Sequence, residues 1–129
     1  MNIFFKILLL VFSIDAIFIY NIKDRFNKQI LAVQGSDINI NYLGTVLSYV
    51  FIVLQLYWFI IKDDKSVFDA FILGLSLYGV YEFTNLALLK NWGIELALID
   101  TVWGGLLFAI TTYLLKNNLI FTDKQLPVY

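Results

Sequence analysis

Cysteine and histidine are both absent from this 129-residue chain. Their absence removes disulfides, thiolate nucleophiles, histidine general bases, histidine-ligated haem and the usual zinc sets. A bound metal would need oxygen ligands, which leaves a divalent ion such as magnesium, calcium or manganese as the open class; the sequence itself implies no cofactor. Charge is sparse as well: charged residues make up 15% of the chain and the net charge is −1. Without a basic field to attract phosphate backbones, a nucleic-acid role is disfavoured. The only proline is Pro127, in the tail. Arginine is nearly missing, with Arg25 alone beside eight lysines, a bias of AT-rich coding that carries no information on activity.

Apolar residues take the space that charge leaves. They make up 60% of the chain, and the mean hydropathy is +0.79. Soluble domains sit near 45–50% apolar and about 25% charged. The excess is gathered into runs long enough to cross a bilayer, for which about 17–25 residues suffice. Residues 3–20 form the first, interrupted by Lys6, Ser13 and Asp15. It reads as a spanning helix rather than a cleaved signal, because Asp15 breaks the apolar stretch and no small-x-small site follows. Lys6 is expected to snorkel to the interface. Residues 21–41 are polar, with a turn at Gly35-Ser36-Asp37. Within them, residues 26–33 are expected to form a short interfacial helix with Phe26, Ile30 and Val33 toward the membrane.

Residues 42–61 carry no charge at all. Ser66 is the expected N-cap of the next span, residues 67–89, with Asp69 suited to the helix dipole in its first turn. Lys90-Asn91-Trp92-Gly93 makes a tight connection in which Gly93 is expected to supply a positive φ. Residues 94–115 form the last span, and Glu95 suits its positive end. Beyond it, Leu119, Ile120 and Phe121 are expected to lie back on the bilayer surface. The pattern predicts an all-α fold: an integral membrane antiparallel four-helix bundle, with residues 1–129 as a single transmembrane domain. Sheets are disfavoured, since a spanning sheet must close into a barrel and these runs lack sustained alternation.

Tyr20, Tyr42 and Trp92 mark one interface and Tyr57, Trp58 and Tyr113 the other. Five cations on the side of the termini (Lys6, Lys62, Lys65, Lys116, Lys124) face four opposite (Lys23, Arg25, Lys28, Lys90), a balance that leans toward cytoplasmic termini. Which membrane holds the chain, cellular or viral, stays open.

Counting about 1.5 Å of rise per residue converts positions into depths. Asp15 falls roughly 7–8 Å below the interface marked by Tyr20, and Glu82 and Asp100 about 9–11 Å below the same interface. Ser48 reaches a similar height and Asn85 a slightly shallower one. One leaflet therefore holds a polar layer drawn from all four helices, and the other has little beyond Gln55. Gly74, Tyr78, Glu82 and Asn85 share one helical face, as do Asp100, Gly104, Leu107 and Thr111. Small residues on these faces allow close helix approach in lipid. Thr101, Gly105 and Ala109 form a second small face, available to a partner.

A buried acid can fix helix register by bonding a neighbouring helix, and for any single one of these acids that reading competes with a functional one. Three in one layer favour function. Each costs about 2.5–3.5 kcal/mol at the bilayer centre, and Asn or Ser would set register with less. Neighbouring carboxylates in a dry site also need a shared proton or a cation. Asp15, Glu82, Asn85 and Asp100 are thus the candidate ligand- or ion-binding residues, supported by Ser48 and Tyr78; Trp103, one turn from Asp100, is either packing or pocket wall.

The same stretch carries a family resemblance. Leu73-Gly74-Leu75, Tyr78-Gly79, Tyr81-Glu82, Thr84-Asn85, Trp92, Asp100 and Trp103-Gly104 resemble the signature of the DUF2177 family, small membrane proteins of undetermined function. Asp15 would correspond to that family's first-helix Asp. Many members have Asp in place of Glu82, and a Trp where this chain has Ile17-Phe18. The resemblance implies an all-helical membrane protein and supplies no activity or cofactor.

Three functions compete. The leading one is a one-sided intramembrane acidic pocket that binds a small polar or cationic ligand or relays protons; transport by so short a chain would need a homo-oligomer. A structural or assembly subunit, viral or organellar, predicts that Glu82→Leu keeps or raises stability. A membrane-embedded lipid-modifying enzyme would use the carboxylates as acid and base or as metal ligands, and the missing His and Cys weigh against it.

Overall fold

The computed structural model describes residues 1–117, and every regular element among them is helical. Helix α1 spans Ile3–Gln34, α2 spans Tyr42–Leu56 and continues through a π-helical turn at Tyr57–Ile61, α3 spans Val67–Leu88, and α4 spans Ile94–Lys116. All four are long and apolar enough to cross a membrane. The expected surface segment at Leu119, Ile120 and Phe121 lies outside the described residues.

Local sequence explains the boundaries. Asn2 caps α1 and Asn41 caps α2, each accepting a hydrogen bond from a backbone N–H of the first turn. Ser66 and Asp69 form a reciprocal capping box at the start of α3. Gly35 ends α1 in the left-handed region at φ 77°, donating its N–H to Leu31 O at 2.9 Å. In the α3–α4 turn the positive φ falls on Asn91 (63°), whereas Gly93 is extended at −85° and serves as N-cap of α4. Asn tolerates the left-handed region better than other side chains, so the turn does not need its glycine there.

The largest departure from expectation is α1. Its 32 residues amount to about 48 Å, far more than the ~30 Å hydrocarbon core. The polar segment after Tyr20 is not a linker with a separate short helix but the uninterrupted continuation of the span. Ile7, Val11, Phe18, Ile22, Phe26 and Gln29 recur at helical spacing, so one inward face persists while Lys23, Asp24, Arg25 and Lys28 stay exposed beside it. Phe18 stacks on Trp103 of α4, with ring centroids 4.3 Å apart, and meets Phe26 edge-on at 6.2 Å. Lys6 is buried and engaged rather than extended to the interface.

Helix α4 is the hub. Contacts along α3–α4, α1–α4 and α1–α2 run in opposite sequence directions, so each pair is antiparallel. The α3–α4 contact is the tightest: a methyl group on Gly74 would sit 2.1 Å from Gly104 O, and one on Gly104 would sit 2.2 Å from Tyr78 Cγ. Gly105 is pressed against Phe71, and Gly79 faces Thr101. The second small face of α4 is therefore covered by α3 at Thr101 and Gly105 instead of standing free for a partner. Backbone approach of this kind is how helices associate in lipid, where no hydrophobic driving force acts between them.

The apolar core fills the half of the bundle nearest the termini, with Ile7, Val11, Leu56, Ile60, Ala70, Leu107, Phe108 and Leu115 at its centre. Outward, Phe12, Ile17, Leu43, Val46, Val50, Phe51, Val80, Leu98 and Val102 are exposed. A water-soluble protein rarely leaves so contiguous an apolar surface. A lipid bilayer is the environment that fits it.

Packing density separates the glycines. Gly74→Ala and Gly104→Ala are expected to destabilise the bundle by about 1–3 kcal/mol through overpacking. Gly79→Ala meets only Thr101 Cγ2 at 3.4 Å, an ordinary contact. It is expected to be neutral or stabilising through helix propensity. Denaturant unfolding in detergent measures all three, and equal effects would refute the close approach.

Candidate functional site

Each helix sends a polar side chain into the half of the bundle opposite the apolar core. Asp15 of α1 is 7% exposed and both its oxygens are satisfied. Tyr49 of α2 donates its hydroxyl to Oδ2 at 2.6 Å, and Trp103 of α4 donates Nε1 to Oδ1 at 2.9 Å. Three helices are thereby tied at one carboxylate.

Glu82 of α3, only 1% exposed, is different. Its Oε2 accepts Trp92 Nε1 at 2.8 Å, the indole reaching back from the α3–α4 turn. Its Oε1 is buried with no hydrogen-bond partner among the described residues. Asp100 of α4, 7% exposed, lies against Glu82. The two acids meet because Tyr78 packs on Gly104 one turn away along each helix, and the antiparallel register carries Glu82 onto Asp100. Tyr78 stands between the two sets, within electrostatic reach of both Asp15 and Asp100.

A cavity of about 340 Å³ opens beside these acids. Asp15, Phe18, Ile19, Lys23, Phe26 and Ile30 form its α1 wall; Tyr78, Tyr81 and Glu82 form its α3 wall; Trp92, Asp100 and Ile38 complete it. It occupies the gap between α1 and α3, which both lean on α4 and scarcely touch each other. Lys23 at its rim rests over the Tyr20 ring, 4.5 Å from the centroid.

Of the residues singled out in the sequence, Asp15, Glu82, Asp100 and Tyr78 line this one cavity. Trp103 stands behind it as a donor to Asp15. Asn85 is half-buried one turn beyond Glu82, beside Tyr81, and is not part of the lining. Ser48 points away: it is exposed, and its hydroxyl donates to Gly44 O at 2.8 Å within its own helix. No group of three or more acids among the described residues is close enough to hold a metal ion.

Residues 1–115 match the family described as "Predicted membrane protein (DUF2177)". The chain belongs to the DUF2177 family. No curated protein and no solved structure matches it. In this DUF2177 chain the match takes in α1 with Asp15 as well as the α3–α4 stretch that carries the resemblance. The signature residues fall into two structural roles. Gly74, Tyr78 and Gly104 make the α3–α4 contact; Tyr78 also joins Asp15, Tyr81, Glu82, Trp92 and Asp100 at the cavity.

Tyr49 and Trp92 are the donors to the buried acids that reading the sequence did not assign. Tyr49 is the immediate neighbour of Ser48 at nearly the same depth, and one residue rotates the side chain by about 100°. Helical face, not height, would have found it. Trp92 reads as a belt residue, and only the fold of the turn aims its N–H inward.

Removing a donor tests the asymmetry between the acids. Tyr49→Phe and Trp103→Phe each leave Asp15 short of one hydrogen bond, at an expected cost of about 1–3 kcal/mol for a buried acceptor left unsatisfied. Ser48→Ala is expected to change nothing measurable. Unfolding curves in detergent decide it, and a stable Tyr49→Phe variant would contradict the assignment.

Proposed function

We propose that the Glu82–Asp100 face of the cavity binds a small organic cation, with a shared proton as the occupant when no cation is bound. The observation that carries this reading is a pair of buried carboxyls in contact, Glu82 and Asp100, both lining one cavity, with no ordinary N–H or O–H donor to Glu82 Oε1 among the described residues. Leaving such an oxygen unpaired costs about 1–3 kcal/mol or more, so a side chain kept only for helix register would be a poor choice. Two carboxyls in contact inside a membrane carry a proton or a cation between them.

The walls favour an organic cation over a metal. Phe18, Phe26, Tyr78, Tyr81 and Trp92 line the space, and aromatic faces attract ammonium groups by roughly 0.5–2 kcal/mol each. With only two acids adjoining, a divalent ion would lack oxygen ligands, whereas an ammonium needs one or two carboxylates and a ring of π-faces. A cavity of about 340 Å³ suits a small molecule. Asp15 fits a different role: with both oxygens satisfied, it acts as a register pin among α1, α2 and α4.

Trp92 gives the reading a direct reporter. Titrating the detergent-solubilised protein with tetramethylammonium chloride is expected to produce a saturable change in tryptophan fluorescence that sodium chloride does not reproduce. Glu82→Gln with Asp100→Asn is expected to weaken that response at least tenfold while the helical content stays unchanged. An equal response in the folded double variant would defeat the proposal.

A further inference from the structure

A second cavity, of about 350 Å³, lies on the other side of the α3–α4 turn, between the α1 extension and the start of α4. Arg25, Lys28 and Gln29 face it from α1, and Gly93 and Glu95 from α4. Its donors have no full complement of acceptors. The N-cap of α4 is Gly93, so no side chain satisfies the first-turn N–H groups. Gln29, 9% exposed, accepts Gly93 N–H on Oε1 at 3.0 Å, and this leaves its Nε2 as a buried donor without a partner among the described residues. Lys28 adds a cation, and Arg25 is paired with Glu95.

We propose that this groove binds a phosphate group, supplied by an anionic phospholipid head or by a soluble phosphate. An anion there meets a helix N-terminus with its positive dipole end, the free Gln29 amide and the two cations of α1. Glu95 is the internal stand-in: its carboxylate holds Arg25 in the absence of the ligand. That pair is exposed on both sides, and exposed ion pairs contribute little, so a phosphate displaces it readily. Depth favours the lipid source. Trp92 and Tyr20 mark the interface, and Arg25 and Lys28 stand about 7–12 Å beyond Tyr20 along α1, at head-group level. The overlong α1 thereby acquires a purpose, since a helix ending at Tyr20 would present neither cation.

Native mass spectrometry of the full chain in a neutral detergent tests the site, with dioleoyl phosphatidic acid, dioleoyl phosphatidylcholine and inorganic phosphate as probes. The expected result is one saturable phosphatidic acid adduct that phosphatidylcholine does not match. Lys28→Gln and Gln29→Leu should each weaken it about tenfold, and Glu95→Gln should strengthen it about threefold. Lys90→Gln, which removes a charge on the same side but outside the groove, should leave it unchanged. Inorganic phosphate competing at equal affinity supports the site with a soluble ligand, and lipid binding without competition supports the head group. Binding of neither probe overturns the proposal. So does an equal loss in Lys28→Gln and Lys90→Gln, which would mark diffuse charge, or a weaker adduct in Glu95→Gln.

Discussion

The contact between Gly74 and Gly104 admits no methyl group, and the polar half of the bundle depends on it. In lipid, helices associate through packing and interhelical hydrogen bonds, so backbone contact at small residues is a strong available clamp. One turn further along α3, Tyr78 packs on the same Gly104, and the antiparallel step from that pair carries Glu82 onto Asp100. The short turn at 90–93 then returns Trp92 over Glu82. An arrangement that would be costly if assembled from independent side chains is imposed by two helices that already have reason to pack.

Helix α1 is held differently. It leans on α4 through Trp103, the Phe18 stack and the polar contacts of Gln29 and Arg25, and leaves a gap toward α3. The gap is the cavity. The acids that line it differ in their partners: Asp15 accepts from Tyr49 and Trp103, while Glu82 accepts from Trp92 and lies against Asp100. On the proposed reading, the layer divides into a half pinned at Asp15 and a half, Glu82 with Asp100, that takes the ligand.

Much of this was legible in the residues. Four apolar runs mark the spans, and the positions of Asp15, Glu82 and Asp100 along them imply one shared height in the bundle. The face shared by Gly74, Tyr78 and Glu82 anticipated the clamp with α4. Hydropathy hid the α1 extension, because residues 21–34 are polar on average although Ile22, Phe26 and Ile30 keep the helical step. Depth also could not choose between Ser48 and Tyr49, which differ by rotation. Trp92 and Gln29 lay beyond reach for a further reason: a long side chain in or near a turn is aimed by tertiary structure, and no local pattern encodes that aim.

Isothermal titration calorimetry of tetramethylammonium binding, repeated in buffers of different ionisation enthalpy, measures protons released per cation bound. If Glu82 and Asp100 share a proton that the cation displaces, release approaches about one proton per ligand and vanishes in Asp100→Asn. Binding with no proton release, or release that persists in that variant, would contradict the account.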